Sequence, residues 1–240
     1  MILSETQRDR DTELARLTGI PLADLEGLEI CAPSSIQLYD SKLPRPRSEE
    51  EMLRIYKDYK WLNFTAYLRT LMFTSVERRH PELIDLLRKT KGKKCLDFGS
   101  GVGTHAIALC ENDNTVTLLD VKGPLSKFAT LRLKMRGHQF TFWETTTALP
   151  SDAFDVVICS DVLEHTYDPV NELHRILACL KEGGIVHLLV STMVKVSSGH
   201  FPASIQRWLE DGEPLLHHRC EKIAETIYRK RAKTVYTRSR

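Results

Sequence analysis

The spacing of apolar and polar positions changes near residue 92. Before it, apolar residues recur three and four apart among many charges, as in helices that bury one face. A helix is predicted from Ser4 to Leu17, closed by Gly19, with Pro21 opening a short turn. Pro33, Pro44 and Pro46 forbid regular helix over 31–47. Ser48 with Glu51 forms a capping box, so a helix should begin at Ser48 and run through Met52, Ile55, Tyr56, Tyr59, Leu62 and Phe64. Pro81 stands at a first helical position before Glu82–Leu87, and Lys91–Gly92 ends that helix.

From residue 93 the pattern becomes an alternation. Cys95–Phe98, Thr115–Leu119, Phe140–Trp143, Phe154–Cys159 and Ile185–Val190 read as strands, the last two as continuous apolar runs buried on both faces. Between them, Thr104–Cys110, Pro124–Met135 and Val170–Leu180 read as helices. Strands separated by helical stretches of 10–15 residues imply crossover units and a parallel sheet. The expected architecture is α/β: a Rossmann-like, doubly wound, mostly parallel sheet with helices on both faces and an N-terminal helical cap. The expected division is residues 1–80 as cap and 81–240 as ligand-binding domain, with its core at 93–192. Past Val190 the pattern weakens to a helix near Ile205–Leu209, a helix near Glu221–Arg231 and one strand at Thr234–Thr237.

Composition narrows the class. With 34 Lys/Arg against 32 Asp/Glu, the chain is no polycation, and nucleic acid is not expected as its main partner. The basic residues of the tail, including Arg229, Lys230, Arg231, Lys233, Arg238 and Arg240, read as a solvated face. Six scattered cysteines with no C-x-x-C pair, no apolar leader and no run near 18 apolar residues suggest a reduced, cytoplasmic protein with no membrane partner.

The segment Asp97-Phe98-Gly99-Ser100-Gly101-Val102-Gly103-Thr104 leaves one strand and enters a helix. Glycines there allow a tight turn and close approach of a ligand, and the helix start offers N–H groups. Asp120, at the tip of the next strand, suits the two hydroxyls of a ribose. The third glycine comes one residue too early for the dinucleotide pattern, and the loop is not a P-loop. Asp97 would repel a pyrophosphate and attract an amino group. An adenosyl ligand with an amino-acid tail matches these charges.

Leu96–Gly103 resembles the first motif of the class I S-adenosylmethionine-dependent methyltransferases. Asp120 matches their ribose-binding acid, Phe154–His165 resembles their fourth motif, and Asp168–Gly184 resembles the helix and turn before their fifth strand. The resemblance implies S-adenosyl-L-methionine as cofactor and S-adenosyl-L-homocysteine as product. It implies that Gly99, Ser100, Gly101 and Gly103 line the methionine moiety and that Asp97 faces its ammonium. It places Asp120 and Val121 at the ribose, Glu144 or Thr145 at the adenine, and Ser160 and Asp161 at the methionine end and the substrate.

The implied activity is transfer of a methyl group to a small-molecule acceptor, most readily a hydroxyl or carboxyl oxygen. Three alternatives stay open: an RNA or nucleotide 2′-O-methyltransferase, an N-methyltransferase, and a cofactor-binding module without turnover. His165 is the candidate base or substrate contact. No metal is expected. Asp161, Glu164, His165 and His218 would be its ligands if one were used, an arrangement similar to that of small-RNA 3′-terminal 2′-O-methyltransferases. His200, His217 and His218 otherwise read as surface polar residues, and Trp208 as part of a small core. In this family a hairpin follows the fifth strand, whereas only one closing strand is visible here. The sequence carries no reading of oligomeric state.

Overall fold

The computed structural model describes residues 1–26, 50, 68–72, 81–192 and 200–232. The prolines of 31–47, Ser48 and Glu51 of the capping box, the helix expected to continue through Met52–Phe64 and the strand at 234–237 lie outside these residues. Among the described residues, helices α1 (Gln7–Thr18), α2 (Leu22–Glu26), α3 (Pro81–Lys89), α4 (Thr104–Cys110) and α5 (Pro124–Met135) precede or interleave the first three strands. The strands are β1 (Lys94–Phe98), β2 (Thr115–Asp120) and β3 (Thr141–Glu144). Then come β4 (Phe154–Ser160), a 3-10 turn (Leu163–His165), α6 (Pro169–Cys179) and β5 (Leu180–Leu189). A continuous helical stretch follows as α7 (Pro202–Arg207), a π segment (Trp208–Gly212) and α8 (Glu213–Arg219), before β6 (Cys220–Lys222) and β7 (Ile227–Lys230).

Among the described residues, seven strands form one sheet in the order β3-β2-β1-β4-β5-β7-β6. The first five are parallel, and β7 joins β5 antiparallel with β6 outside it. Two cores clothe the sheet. On one face, Leu83 and Leu87 of α3, Ile107 of α4 and Leu133 of α5 pack with Val116, Leu118 and Ile158. On the other, Leu173 and Ile176 of α6, Trp208 and Leu216 pack with Leu96, Val157 and Leu188. The helices α4 and α6 illustrate how sequence sets the packing. Small residues let α4 bury six of its seven positions against the sheet. Pro169 at its first turn and the Asp168 carboxylate accepting from Asn171 N–H (3.0 Å) start α6.

The basic stretch near Glu221–Arg231 is a hairpin rather than the helix that its propensities suggest. Its register, Ile185↔Arg229 and Val186↔Tyr228, covers the open edge of β5, and Ile227 and Tyr228 are buried. Satisfying an exposed sheet edge outweighs the modest helix preference of Lys, Arg and Glu. This hairpin also supplies the closing pair whose presence the sequence left open. Lys230 is correspondingly no solvated residue: it is 5% exposed and holds Asp152 at 3.0 Å and the Leu180 carbonyl. The expected helix near Ile205–Leu209 extends to Arg219, with a π turn that places Trp208 in the core. A Cβ on Gly212 would lie 2.4 Å from that indole. Gly212 is therefore where the helix accommodates the ring.

A third cluster joins the N-terminal region to the ligand side. Leu14, Leu25, Leu68 and Met72 pack with Val102 of the glycine loop and Phe128 of α5. Asp11 and Arg69 pair at 2.7 Å, both buried. Glu13 accepts from Arg132 (2.8 Å) and Arg136 (2.7 Å), which holds the Glu13 carboxyl below its usual range despite burial. The five described cysteines carry free thiols. Among the described residues no helix is long and apolar enough to cross a membrane.

Candidate functional site

The site forms where β1, β2, β3 and β4 end side by side, the edge at which open α/β sheets bind ligands. Three glycines build the loop after β1, each for a different reason. Gly99 has φ +74, and a Cβ there would meet Val162 at 2.4 Å, so the loops after β1 and β4 touch without a side chain between them. Gly103 lies against Ala129 and Leu133 of α5. Gly101, with φ +52, has nothing within 4 Å of its Cβ position. Its Cβ position therefore borders open space.

Asp120 ends β2 and reaches back to this loop. Its Oδ2 accepts from Gly101 N–H at 2.7 Å and from the Ser100 hydroxyl at 3.4 Å, while Oδ1 accepts from Val121 N–H at 2.6 Å. A carboxylate has about four lone-pair positions, so it retains capacity for a diol. Burial pushes its carboxyl up to about 6, against these hydrogen bonds. Asp97 is 1% exposed and accepts from Ala106 N–H at 3.0 Å. Burial, with Asp120 nearby, pushes it up to about 7. Asp97 thus lies buried under the glycine loop.

The outer end of the crevice is assembled by strand pairing. Glu144 stands opposite Asp120 in register, and Thr145 N–H donates to the Asp120 carbonyl at 3.1 Å. Glu144 also meets Lys122 at 3.2 Å on the surface. Arg175 of α6 holds the following turn, donating to the Thr145 and Thr147 carbonyls at 2.7 and 3.1 Å. Its guanidinium stacks 5.8 Å from the Phe98 ring. Sequence reasoning missed Arg175, because its partners are carbonyls that no motif marks.

Across the crevice, β4 delivers Ser160, Asp161 and the 3-10 turn. Asp161 takes φ +53, and its N–H donates to the Leu189 carbonyl at 2.9 Å. Glu164 is fully buried, accepts from Ser191 N–H at 3.0 Å, and its carbonyl accepts from Phe201 N–H at 3.0 Å. That contact brings His200 onto His165, ring centroids 4.8 Å apart and nearly perpendicular. One ligand atom each from Glu164, His165 and His200 lies within 4.8 Å of the others. Among the described residues, this group includes neither Asp161 nor His218. His218 is in the last turn of α8, so the arrangement expected from the sequence takes His200 instead. The signal for His200 was tertiary: it sits 35 positions from His165, in a segment with no pattern.

These features can be tested against a sulfonium nucleoside. An open glycine, backbone N–H groups, one buried and one half-buried carboxylate suit a ribose beside a positive charge, and a diphosphate would meet two acids. A family described as a methyltransferase domain matches residues 65–229. The ubiquinone biosynthesis O-methyltransferase of Vibrio parahaemolyticus is 36% identical over 107 residues, 42% of this chain and 44% of that protein. The protein of the same description from Histophilus somni is 33% identical over 102 residues, 39% of this chain and 43% of that one. The chain spans less than half the length of these curated relatives. Among solved structures, the YcgJ protein of Bacillus subtilis is similar at TM-score 0.42 and 21% identity, covering 46% of this chain and 50% of that one. An S-adenosylmethionine-dependent methyltransferase from Mesorhizobium loti is similar at TM-score 0.39 and 23% identity, covering 44% of this chain and 49% of that one. With its glycine loop, its two acids and a matched stretch of more than half its length, this chain belongs to the methyltransferase-domain family.

Proposed function

We propose that the chain transfers a methyl group from S-adenosylmethionine to an oxygen of a small molecule, a hydroxyl or a carboxylate. One observation carries this reading: the open face of Gly101, flanked by Asp97 and Asp120, lies at the same sheet edge as half-buried His165. When bound, the cofactor supplies a methyl carbon on a sulfonium, already a good leaving group. The chain's own work is alignment and charge. Asp120 holds the ribose beside Val121, Gly101 and Ser100 let the methionine moiety approach, and Asp97 offsets the positive charge from beneath. Glu144 and Thr145 border the adenine. Ser160 and Asp161 face the methyl end. Holding reacting atoms about 3–3.5 Å apart supplies on the order of 7–11 kcal/mol. His165, steadied by His200, contacts the acceptor oxygen.

The curated relatives named as ubiquinone biosynthesis O-methyltransferases support oxygen over nitrogen as the acceptor atom. The test is incubation with methyl-labelled cofactor and a metabolite extract. Label entering a small oxygen-bearing product, with release of S-adenosylhomocysteine, is expected; tight cofactor binding with no transfer would leave a binding module.

The Glu164–His165–His200 group supports a second, cation-assisted version, in which a divalent ion held there would polarise the acceptor. Calorimetric titration with manganese or zinc into the wild type and His200→Ala separates the two versions. Heat that disappears in the variant selects the second.

We also propose that residues 1–80 act as a cap on the ligand side. Glu13 of α1 pairs with Arg132, whose guanidinium also donates to the Val102 carbonyl and to Thr104 (3.1 Å). The cap therefore reaches the glycine loop through one buried arginine.

A further inference from the structure

The glycine loop is held from behind by a guanidinium that belongs to α5. Arg132 is 1% exposed. Its Nη1 donates to the Val102 carbonyl at 2.6 Å and to Thr104 Oγ1 at 3.1 Å. Val102 lies between Gly101 and Gly103, and Thr104 opens α4. One side of the guanidinium therefore fixes the passage from loop to helix. The other side points to α1, where Nε and Nη2 donate to Glu13 Oε2 at 3.1 and 2.8 Å. Glu13 Oε1 accepts from Arg136 Nε at 2.7 Å, and Arg136 in turn donates to Glu5 Oε1 at 2.8 Å.

A guanidinium taken out of water is costly without a counter-charge. Glu13 supplies one: burial works against the charge of Arg132, and the Glu13 carboxylate supports it. The planar fork lets one side chain serve both partners at once, whereas a lysine ammonium is a single point of charge. Leu14, next to Glu13, lies in the same apolar cluster as Val102. Two adjacent residues of α1, one polar and one apolar, thus meet the environment of a single loop residue.

We propose that Arg132 is a positioning residue for the cofactor loop and that it couples docking of α1 to binding of S-adenosylmethionine. This rests on the cofactor-binding reading of the glycine loop given above. With α1 docked, Glu13 aims the guanidinium at the Val102 carbonyl and the loop keeps its shape around Gly101. With α1 displaced, Arg132 loses its counter-charge and its hold on that carbonyl weakens. Such coupling is reciprocal, so the cofactor favours the docked state of α1 by the same factor.

Calorimetry with S-adenosylhomocysteine as the probe tests the first half. Glu13→Gln should weaken binding about tenfold. Glu5→Gln, which alters the far side of Arg136, should stay within about twofold of wild type. Arg132→Met should weaken binding as Glu13→Gln does, and combining the two should cost nothing further, because one effect passes through the other. Unchanged affinity in Glu13→Gln overturns the proposal. Equal losses in the two glutamate variants, or additive losses in the double variant, also overturn it, since both describe a network that only stabilises the fold. Should Arg132→Met not fold, the two glutamate variants still decide. Hydrogen exchange tests the second half. Saturating S-adenosylhomocysteine should slow amide exchange across Gln7–Thr18 several-fold in wild type, and that protection should vanish in Glu13→Gln. Protection that is absent in wild type, or that persists in the variant, overturns the coupling. A wild type that binds neither S-adenosylmethionine nor S-adenosylhomocysteine would instead overturn the reading on which the proposal rests.

Discussion

The two sides of the crevice are built differently. On the side proposed for the cofactor, the contacts belong to backbone and to acids within a few residues of a strand end. Gly101 N–H, Val121 N–H and Ala106 N–H fix Asp120 and Asp97. On the side proposed for the acceptor, side chains from separate segments converge: Glu164 and His165 from the turn after β4, and His200 from beyond β5. Backbone geometry ties the first to the fold itself. The second rests on packing and can change with little cost to the first.

That contrast can be broken or sharpened by experiment. The largest expected effect is on the cofactor loop. Gly99→Ala would force a side chain into φ +74 and into Val162 at 2.4 Å. Left-handed strain of about 1–2 kcal/mol and overpacking of about 1–3 kcal/mol should together lower stability by about 2–5 kcal/mol in denaturant titration. Gly101→Ala meets open space, so it should lose only the strain, yet bind the cofactor about tenfold more weakly. Equal stability losses in the two variants would contradict the assignment of Gly101 to the ligand.

Next, Asp120→Ala should weaken S-adenosylmethionine binding about 100-fold, as expected when about 2.7 kcal/mol of charged hydrogen bonds to ribose is lost. A change below threefold by calorimetry would break the ribose assignment. A smaller effect comes from pH. Burial raises the Asp97 carboxyl to about 7 and that of Asp120 to about 6. A cation prefers both ionised, so cofactor affinity should fall as pH drops from 8 to 5, most steeply between 7 and 6. The ligand-free chain should respond in the opposite sense at these two groups. The folded state binds their protons more tightly than the unfolded chain, so their contribution to stability rises as pH falls below about 7. In Asp97→Asn, the steeper part of both trends should vanish. The smallest expected effect on the cofactor is that of His200→Ala: binding unchanged within twofold, with acceptor KM raised several-fold. A comparable loss of cofactor affinity would show that the two sides are coupled.

Local signals made the first five strands and the cofactor loop legible. Asp97, the three glycines and Asp120 declare themselves, because a sharp turn demands glycine and a strand tip fixes the acid after it. Glu144 and Thr145 follow from the same logic one strand further out. The hairpin at Cys220–Lys230 was not legible, since Lys, Arg and Glu fit either state and only the open edge of β5 decides between them. Lys230, read from sequence as solvated, is buried because the Leu180 carbonyl and Asp152 await it there.

The sequence alone determined the parallel core, the glycine loop and the two acids beside it, because those features depend on conformations and spacings that neighbouring residues impose. Tertiary structure decided which histidines meet and how far α1 reaches through Glu13 and Arg132. Those contacts join residues up to 119 positions apart, and no local preference encodes which distant side chain will fill a shared space.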